Sequence, residues 1–135
     1  MLHEEIKQRH QQNLFAQHLR VEILDKGHGS AKVQIQSQEL HANPNGQVHG
    51  GALFTLADIA AGTACVGDGY KVTTVNSTIN FMRPGQPGDT LIAYAKVIKD
   101  GRTIMVVDSN TYNQDQEHLC HGTFTFYKIY PSVEE

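Results

Sequence analysis

The sequence predicts an α+β fold in which an antiparallel sheet wraps around one long central helix. Three observations carry that prediction. A single run, residues 48–66, is apolar at helical spacing on nearly every face. Two strand-like segments precede it, and four more occupy residues 71–129. Strands segregated around one enclosed helix indicate a sheet curled over that helix.

In chain order, residues 3–18 carry Ile6, His10, Leu14, Phe15 and His18 among polar residues. This sparse stripe predicts a short amphipathic N-terminal helix lying on the domain. Residues 19–27 and 31–37 alternate apolar and polar around Gly27-His-Gly-Ser30, a first hairpin. His41-Ala-Asn-Pro-Asn-Gly46 is dense in turn residues and predicts a loop. Within 48–66, Leu53, Leu56, Ala57, Ala60 and Ala64 recur at helical spacing, and Ala is the best helix former. Few polar residues lie on any face, so this helix is expected to be buried nearly all round. Its Ala and Gly content lets a sheet approach closely. After Gly67-Asp-Gly69, residues 71–82 are rich in Val and Thr and break at Arg83-Pro-Gly85. Residues 90–98 and 103–111 flank Lys99-Asp-Gly-Arg102, where Asp-Gly is a strong hairpin signal. Residues 119–129, with Phe124, Phe126 and Tyr127, form the last strand.

The 135 residues fit one domain spanning 1–135. With 39% hydrophobic and 19% charged residues, the chain reads as globular rather than disordered. A net charge of −3, with no local cluster of Lys or Arg, argues against a nucleic-acid partner. Cys65 and Cys120 have neither CxxC nor metal-ligand spacing and are expected as reduced, mostly buried thiols. The first ten residues are too polar for a signal peptide, and the apolar run 52–66, interrupted by Asp58, is too short to span a bilayer. A cytoplasmic protein with no membrane partner and no bound metal is expected.

Asp58 most needs explaining. A carboxylate midway along an apolar helix is costly to desolvate unless it is hydrogen-bonded or paired. The plain reading is a rim residue capping a backbone amide. Its context is His49-Gly50-Gly51 at the helix start. Two glycines there allow close backbone approach and leave N–H groups aimed outward, at the positive end of the helix dipole. Alone, the glycine pair is a flexible joint and His49 a structural hydrogen bonder; with Asp58 the set suits a developing oxyanion. Thioester hydrolysis needs donors for the oxyanion, and a carboxylate that attacks the carbonyl or deprotonates water. The leaving thiol is acidic (about 8.5 for cysteine), so a strong general acid is dispensable. One carboxylate and an oxyanion hole suffice, without a metal, a Ser-His-Asp triad or a nucleophilic cysteine.

Asp58 lies eight positions beyond Gly50, roughly 12 Å along a helix. One carbonyl cannot meet both, since each must sit about 3 Å from the reacting group. An antiparallel two-fold pairing of identical helices sets Gly50 of one chain opposite Asp58 of the other. A homodimer with shared active sites is therefore expected, with strand 71–82 as a pairing edge.

Asn43-Pro-Asn-Gly-Gln-Val-His-Gly-Gly-Ala-Leu-Phe-Thr-Leu-Ala-Asp58, followed by Thr78-Ile-Asn-Phe-Met-Arg-Pro-Gly85, resembles the hot-dog-fold acyl-CoA thioesterases of the PaaI-like, phenylacetate-degradation branch. The resemblance covers residues 40–127. It implies that Gly50 supplies the oxyanion amide, that His49 and Asn43 orient the thioester and the loop, and that Asp58 is the catalytic carboxylate. Thr74 falls where relatives place a Ser or Thr that helps hold the attacking water. Gly51, the segment Phe81, Met82, Arg83 and Pro84, and the hairpin residues Lys99, Gly101 and Arg102 match positions that bind substrate, the last two groups on its coenzyme A portion. Arg83 and Lys99 are also readable as plain surface charges. The implied substrate is an aryl-acetyl, aromatic or medium-chain acyl-CoA, with no cofactor beyond the coenzyme A that is part of the substrate. The implied assembly is a dimer paired into a homotetramer. Two rivals stand beside this reading: a non-catalytic acyl-CoA-binding domain of the same fold, and another enzyme of that fold such as a dehydratase.

Overall fold

The computed structural model of the chain describes residues 3–132. Helices α1 (Glu4–Gln11) and α2 (Leu14–His18) lead into strands β1 (Val21–Gly27) and β2 (Ser30–Gln36). A 3₁₀ turn (Glu39–His41) and a loop precede the long helix α3 (Gly50–Ala64). Strands β3 (Lys71–Phe81), β4 (Thr90–Asp100), β5 (Ile104–Tyr112) and β6 (His118–Ile129) complete the chain. The six strands form one sheet in the order β1-β2-β4-β5-β6-β3, every pair antiparallel. This is the expected α+β, hot-dog arrangement. The single-domain expectation also covers residues 1–2 and 133–135, which lie outside the described residues.

The sheet curls over α3 because the residues that meet are small on the helix and large on the strands. Ala52, Leu53, Leu56, Ala57, Ala60, Ala61 and Ala64 are buried against Val33, Ile35, Leu91, Val107, Phe124 and Phe126. Small helix residues let the strands come close, and the branched and aromatic residues fill the space. Lys26 Nζ donates to the carbonyls of Ala64 (3.4 Å) and Gly27 (2.9 Å), placing a cation at the negative end of α3.

Two expectations are corrected. Residues 3–18 form two helices. The Asn13 side chain accepts the Ala16 N–H at 3.2 Å and starts α2 afresh, a role Asn prefers to a helix interior. The restart changes the phase, so Ala16 is buried while Leu14 and Phe15 stand 70% and 64% exposed. Nor is α3 enclosed all round. The sheet covers one side, leaving a stripe of Gly51, Thr55, Asp58 and Gly62 exposed or half-buried. These positions share one helix face, and Asp58 sits on it.

β3 is an edge strand of 11 residues paired only with β6. It carries no proline, and Val75 at its bulge is 54% exposed, the profile of an edge open to a further strand. No helix among the described residues is long and apolar enough to cross a membrane.

Candidate active site

α3 begins with an N-cap that decides which amide is free. The His49 ring accepts the Gly51 N–H at its Nδ1 (2.8 Å), satisfying one orphan donor of the first turn. The Gly50 N–H has no partner among the described residues. It stands at the positive end of a 15-residue helix. Of the two glycines, Gly50 is thus the available donor, and the Gly51 amide is already committed. With Nδ1 accepting, a neutral His49 carries its proton on Nε2.

The loop before this cap is built by Asn43. Its Oδ1 accepts the N–H groups of Asn45 (2.9 Å) and Gln47 (3.1 Å), and its own N–H donates to Gln47 O (2.7 Å). The Val48 N–H donates to Gly85 O at 2.8 Å, so the segment after β3 is stitched to the approach to α3. A Cβ on Gly85 would press on Val48 at 3.3 Å, which makes glycine the residue that permits this approach.

Two turns further along α3, Thr74 Oγ1 of β3 donates to Asp58 Oδ1 at 3.0 Å. Burial pushes the Asp58 carboxyl above its ordinary range, and the Thr74 hydroxyl, which favours the ionised form, pulls the other way. The carboxylate lines a cleft of about 300 Å³ with Thr74, Gly62 and an apolar wall of Ile6, Ile23, Ile59, Val72 and Phe126. Arg9, His10 and Asn13 reach the same cleft from the N-terminal helices. None of these three was singled out for the site from sequence. The only signal available was the Ile6 stripe, which shows that α1 packs on the domain but not where.

Asp58 and Thr74 therefore meet, and His49, Gly50 and Asn43 cluster at the other end of the helix. Within one chain the two groups stay apart: neither Gly50 nor His49 lines the Asp58 cleft. The coenzyme A segments also divide. Phe81 lies beside the α3 N-terminus, its ring 3.8 Å from where a Gly50 Cβ would stand. Lys99 lies at the opposite end of the sheet, in a cavity with Cys65 and Val66 just past the helix C-terminus. The expected grouping of both segments on one substrate is not formed by a single chain. Arg83 is paired with Glu117 at 2.8 Å, but both side chains are well exposed, so the pair is weak and exchangeable. Gly101 is required by its turn, since a Cβ there would meet Ile104 O at 2.8 Å. The Arg102 carbonyl accepts the Tyr130 hydroxyl at 2.5 Å.

Both cysteines sit in surroundings that disfavour the thiolate. Both are buried and unpaired, and burial pushes the Cys65 thiol up to about 12 and the Cys120 thiol upward as well. Among the described residues no three His, Cys, Asp or Glu side chains form a metal-ligating group.

Comparison with known proteins bears on the same region. The model of the thioesterase superfamily matches residues 45–120, more than half of the chain. The acyl-coenzyme A thioesterase PaaI of Escherichia coli (strain K12) is 35% identical over 119 residues, covering 82% of this chain and 85% of that protein. The structure of the E. coli PaaI protein from the phenylacetic acid degradation operon superposes with a TM-score of 0.89 at 30% identity, covering 95% of this chain and 93% of that one. A hypothetical thioesterase protein from Streptococcus pneumoniae TIGR4, solved with coenzyme A, gives a TM-score of 0.78 at 30% identity, covering 84% and 91%. Sequence match and fold coincide across α3 and β3, and the chain belongs to the thioesterase superfamily as a PaaI-like hot-dog thioester hydrolase.

Proposed function

We propose that the chain is an acyl-CoA thioesterase that hydrolyses an aryl-acetyl, aromatic or medium-chain acyl-CoA to the free acid and CoA at sites shared between two protomers. The observation that carries this reading is a division along α3. An unpartnered Gly50 N–H stands at the helix start, and a partly desolvated Asp58, held by Thr74, stands two turns on in a cleft. Antiparallel pairing of two α3 helices across the stripe of Gly51, Thr55, Asp58 and Gly62 would bring Gly50 of one chain to Asp58 of the other. The open β3 edge offers the matching strand contact.

In that arrangement the apolar wall of the cleft takes the acyl group and the Gly50 N–H donates to the thioester oxygen. Asp58, as general base, takes a proton from water held by Thr74 while the water oxygen bonds to the carbonyl carbon. The oxyanion collapses, the C–S bond breaks, and CoA leaves as a thiolate that solvent protonates, while Asp58 releases the proton it took to solvent. Direct attack by Asp58 would instead form a mixed anhydride that water then opens. His49 and Asn43 hold the oxyanion turn; Gly51 completes its cap. Phe81, Met82, Arg83 and Pro84, with Lys99, Gly101 and Arg102, receive coenzyme A from different protomers. No cofactor is used. Tyr94, Tyr127 and Ile129 are exposed on the outer face of the sheet, which suits dimers pairing into a tetramer. Two buried thiols suit a reducing cytoplasm.

The test is release of free thiol from a panel of acyl-CoAs. Turnover of arylacetyl, aromatic or medium-chain thioesters supports the reading; tight binding without turnover would make the chain an acyl-CoA-binding domain instead. One turnover in ¹⁸O-labelled water tests the direct route, since label in Asp58 requires that its carboxylate attacked and that water opened the anhydride at the Asp58 carbonyl.

A further inference from the structure

His41 is the one described histidine in the fully buried class, at 2% exposure, and the proposed chemistry leaves it without a role. Its ring is committed at both nitrogens. Nδ1 accepts the Gln38 N–H at 2.9 Å, and Nε2 stands 2.7 Å from the Leu19 carbonyl. Only the neutral tautomer with its proton on Nε2 satisfies both. Its backbone carbonyl accepts the His49 N–H at 2.7 Å. His49 is the N-cap of α3, and the next amide is Gly50.

The far end of this chain of bonds is equally specific. Leu19 ends the N-terminal helices, which furnish Ile6 and Arg9 to the cleft wall. Arg20, the next residue, adopts φ 56°, a left-handed conformation uncommon outside glycine. Its guanidinium donates to Gln38 Oε1 at 2.6 Å. Such a backbone persists where neighbouring contacts over-determine it, and here Gln38 and His41 do so. One buried imidazole thus links the oxyanion turn to the segment carrying the cleft's N-terminal wall.

We propose that His41 is a positioning residue for thioester hydrolysis: through His49 it fixes the Gly50 amide relative to the N-terminal segment. The proposal rests on the assignment of Gly50 as oxyanion donor. A misplacement of about 1 Å at such a donor costs roughly 100-fold in rate, whereas binding of coenzyme A, made elsewhere, is little affected. The effect therefore falls on kcat rather than KM.

Three variants test it. His41→Gln keeps a donor near the Nε2 position and hence the bond to Leu19. His41→Asn keeps an acceptor near Nδ1 but cannot reach Leu19. His41→Phe keeps the volume and neither bond. Turnover is measured per folded molecule, judged by circular dichroism and gel filtration. The expected result for His41→Asn is a kcat about 10- to 100-fold down with KM within about threefold, and His41→Gln recovers most of the loss. Should His41→Phe fail to fold, the Gln and Asn pair decides alone. Equal kcat in folded Gln and Asn variants, or a loss carried by KM, overturns the proposal. Asp58→Asn is run alongside: if it too leaves turnover intact, the assignment of the site itself has failed rather than the role of His41.

Discussion

Replacing Asp58 by Asn should lower activity and raise stability at once, and the two effects together discriminate a catalytic carboxylate from a structural one. The amide keeps the volume of the side chain and still accepts the Thr74 hydroxyl, now seen at 3.0 Å from the carboxylate. A hydrogen bond to a neutral rather than an ionised acceptor is weaker by about 1 kcal/mol, so the geometry survives. Loss of the base lowers kcat by roughly two to four orders of magnitude. Stability moves the other way because burial raises the Asp58 carboxyl in the folded state. Below the unfolded-state value of about 3.9 Asp58 is protonated in both states and ionisation costs nothing. As pH rises through the higher folded-state value, the folded state must either hold its proton or ionise a desolvated group, and stability is lost. At pH 7, above the unfolded-state value, wild type carries this cost and Asp58→Asn does not. Thermal melts at pH 7 and near pH 4, beside a thiol-release assay, read both effects. The variant should melt higher than wild type at pH 7, with the gap closing at low pH. A variant less stable than wild type at pH 7 would mark Asp58 as a structural cap, and near-normal kcat in a folded, undeamidated variant would remove it from the chemistry.

Three further outcomes follow from the same geometry. Thr74→Val removes the one group that pulls the Asp58 carboxyl down, so the acid limb of kcat/KM should move toward neutral pH; an unmoved limb would detach Thr74 from Asp58. Ile23→Phe, at a half-buried position on β1 away from the α3 stripe, should fill part of the cleft it lines; KM for aromatic acyl-CoAs should rise about tenfold or more, at about 1.4 kcal/mol per decade, while acetyl-CoA is spared. An unchanged ratio between the two would move the acyl site elsewhere. Matched alkyl oxoesters should be poor substrates, because no general acid serves an alkoxide leaving group, and comparable kcat/KM on both esters would reveal one.

The central helix was legible because residues 48–66 are apolar at helical spacing, and Asp58 because it breaks that run. The strand order was not. Strand 71–82 is expected as an edge and β3 is one, but nothing local to it says that its neighbour is β6, a pairing decided by how the whole sheet closes over α3. The break at Asn13 was missed because a helical stripe persists across it, while the competing side-chain cap acts on a single amide. Gly50 and Gly51 are equivalent as letters. They separate only when the His49 ring is seen to take the Gly51 N–H. Arg9 and Asn13 reach the cleft through tertiary docking of the N-terminal segment, and the buried pairing of His41 with Leu19 spans 22 positions of sequence. Such contacts leave no periodic trace.

The shared site is tested most directly by mixing two inactive chains. Asp58→Asn keeps the oxyanion turn and lacks the carboxylate. Gly50→Pro keeps the carboxylate and lacks the N–H. Proline suits that position, since it is the first residue of α3, His49 before it is extended (φ −61°, ψ 136°), and Phe81 stands off at 3.8 Å. In a mixed dimer one site pairs Gly50 of the first chain with Asp58 of the second, and the other site lacks both groups. After subunit exchange, thiol release should return to one working site per mixed dimer, while each parent alone stays inactive. Heterodimers proven by mass spectrometry that recover no activity would contradict the account.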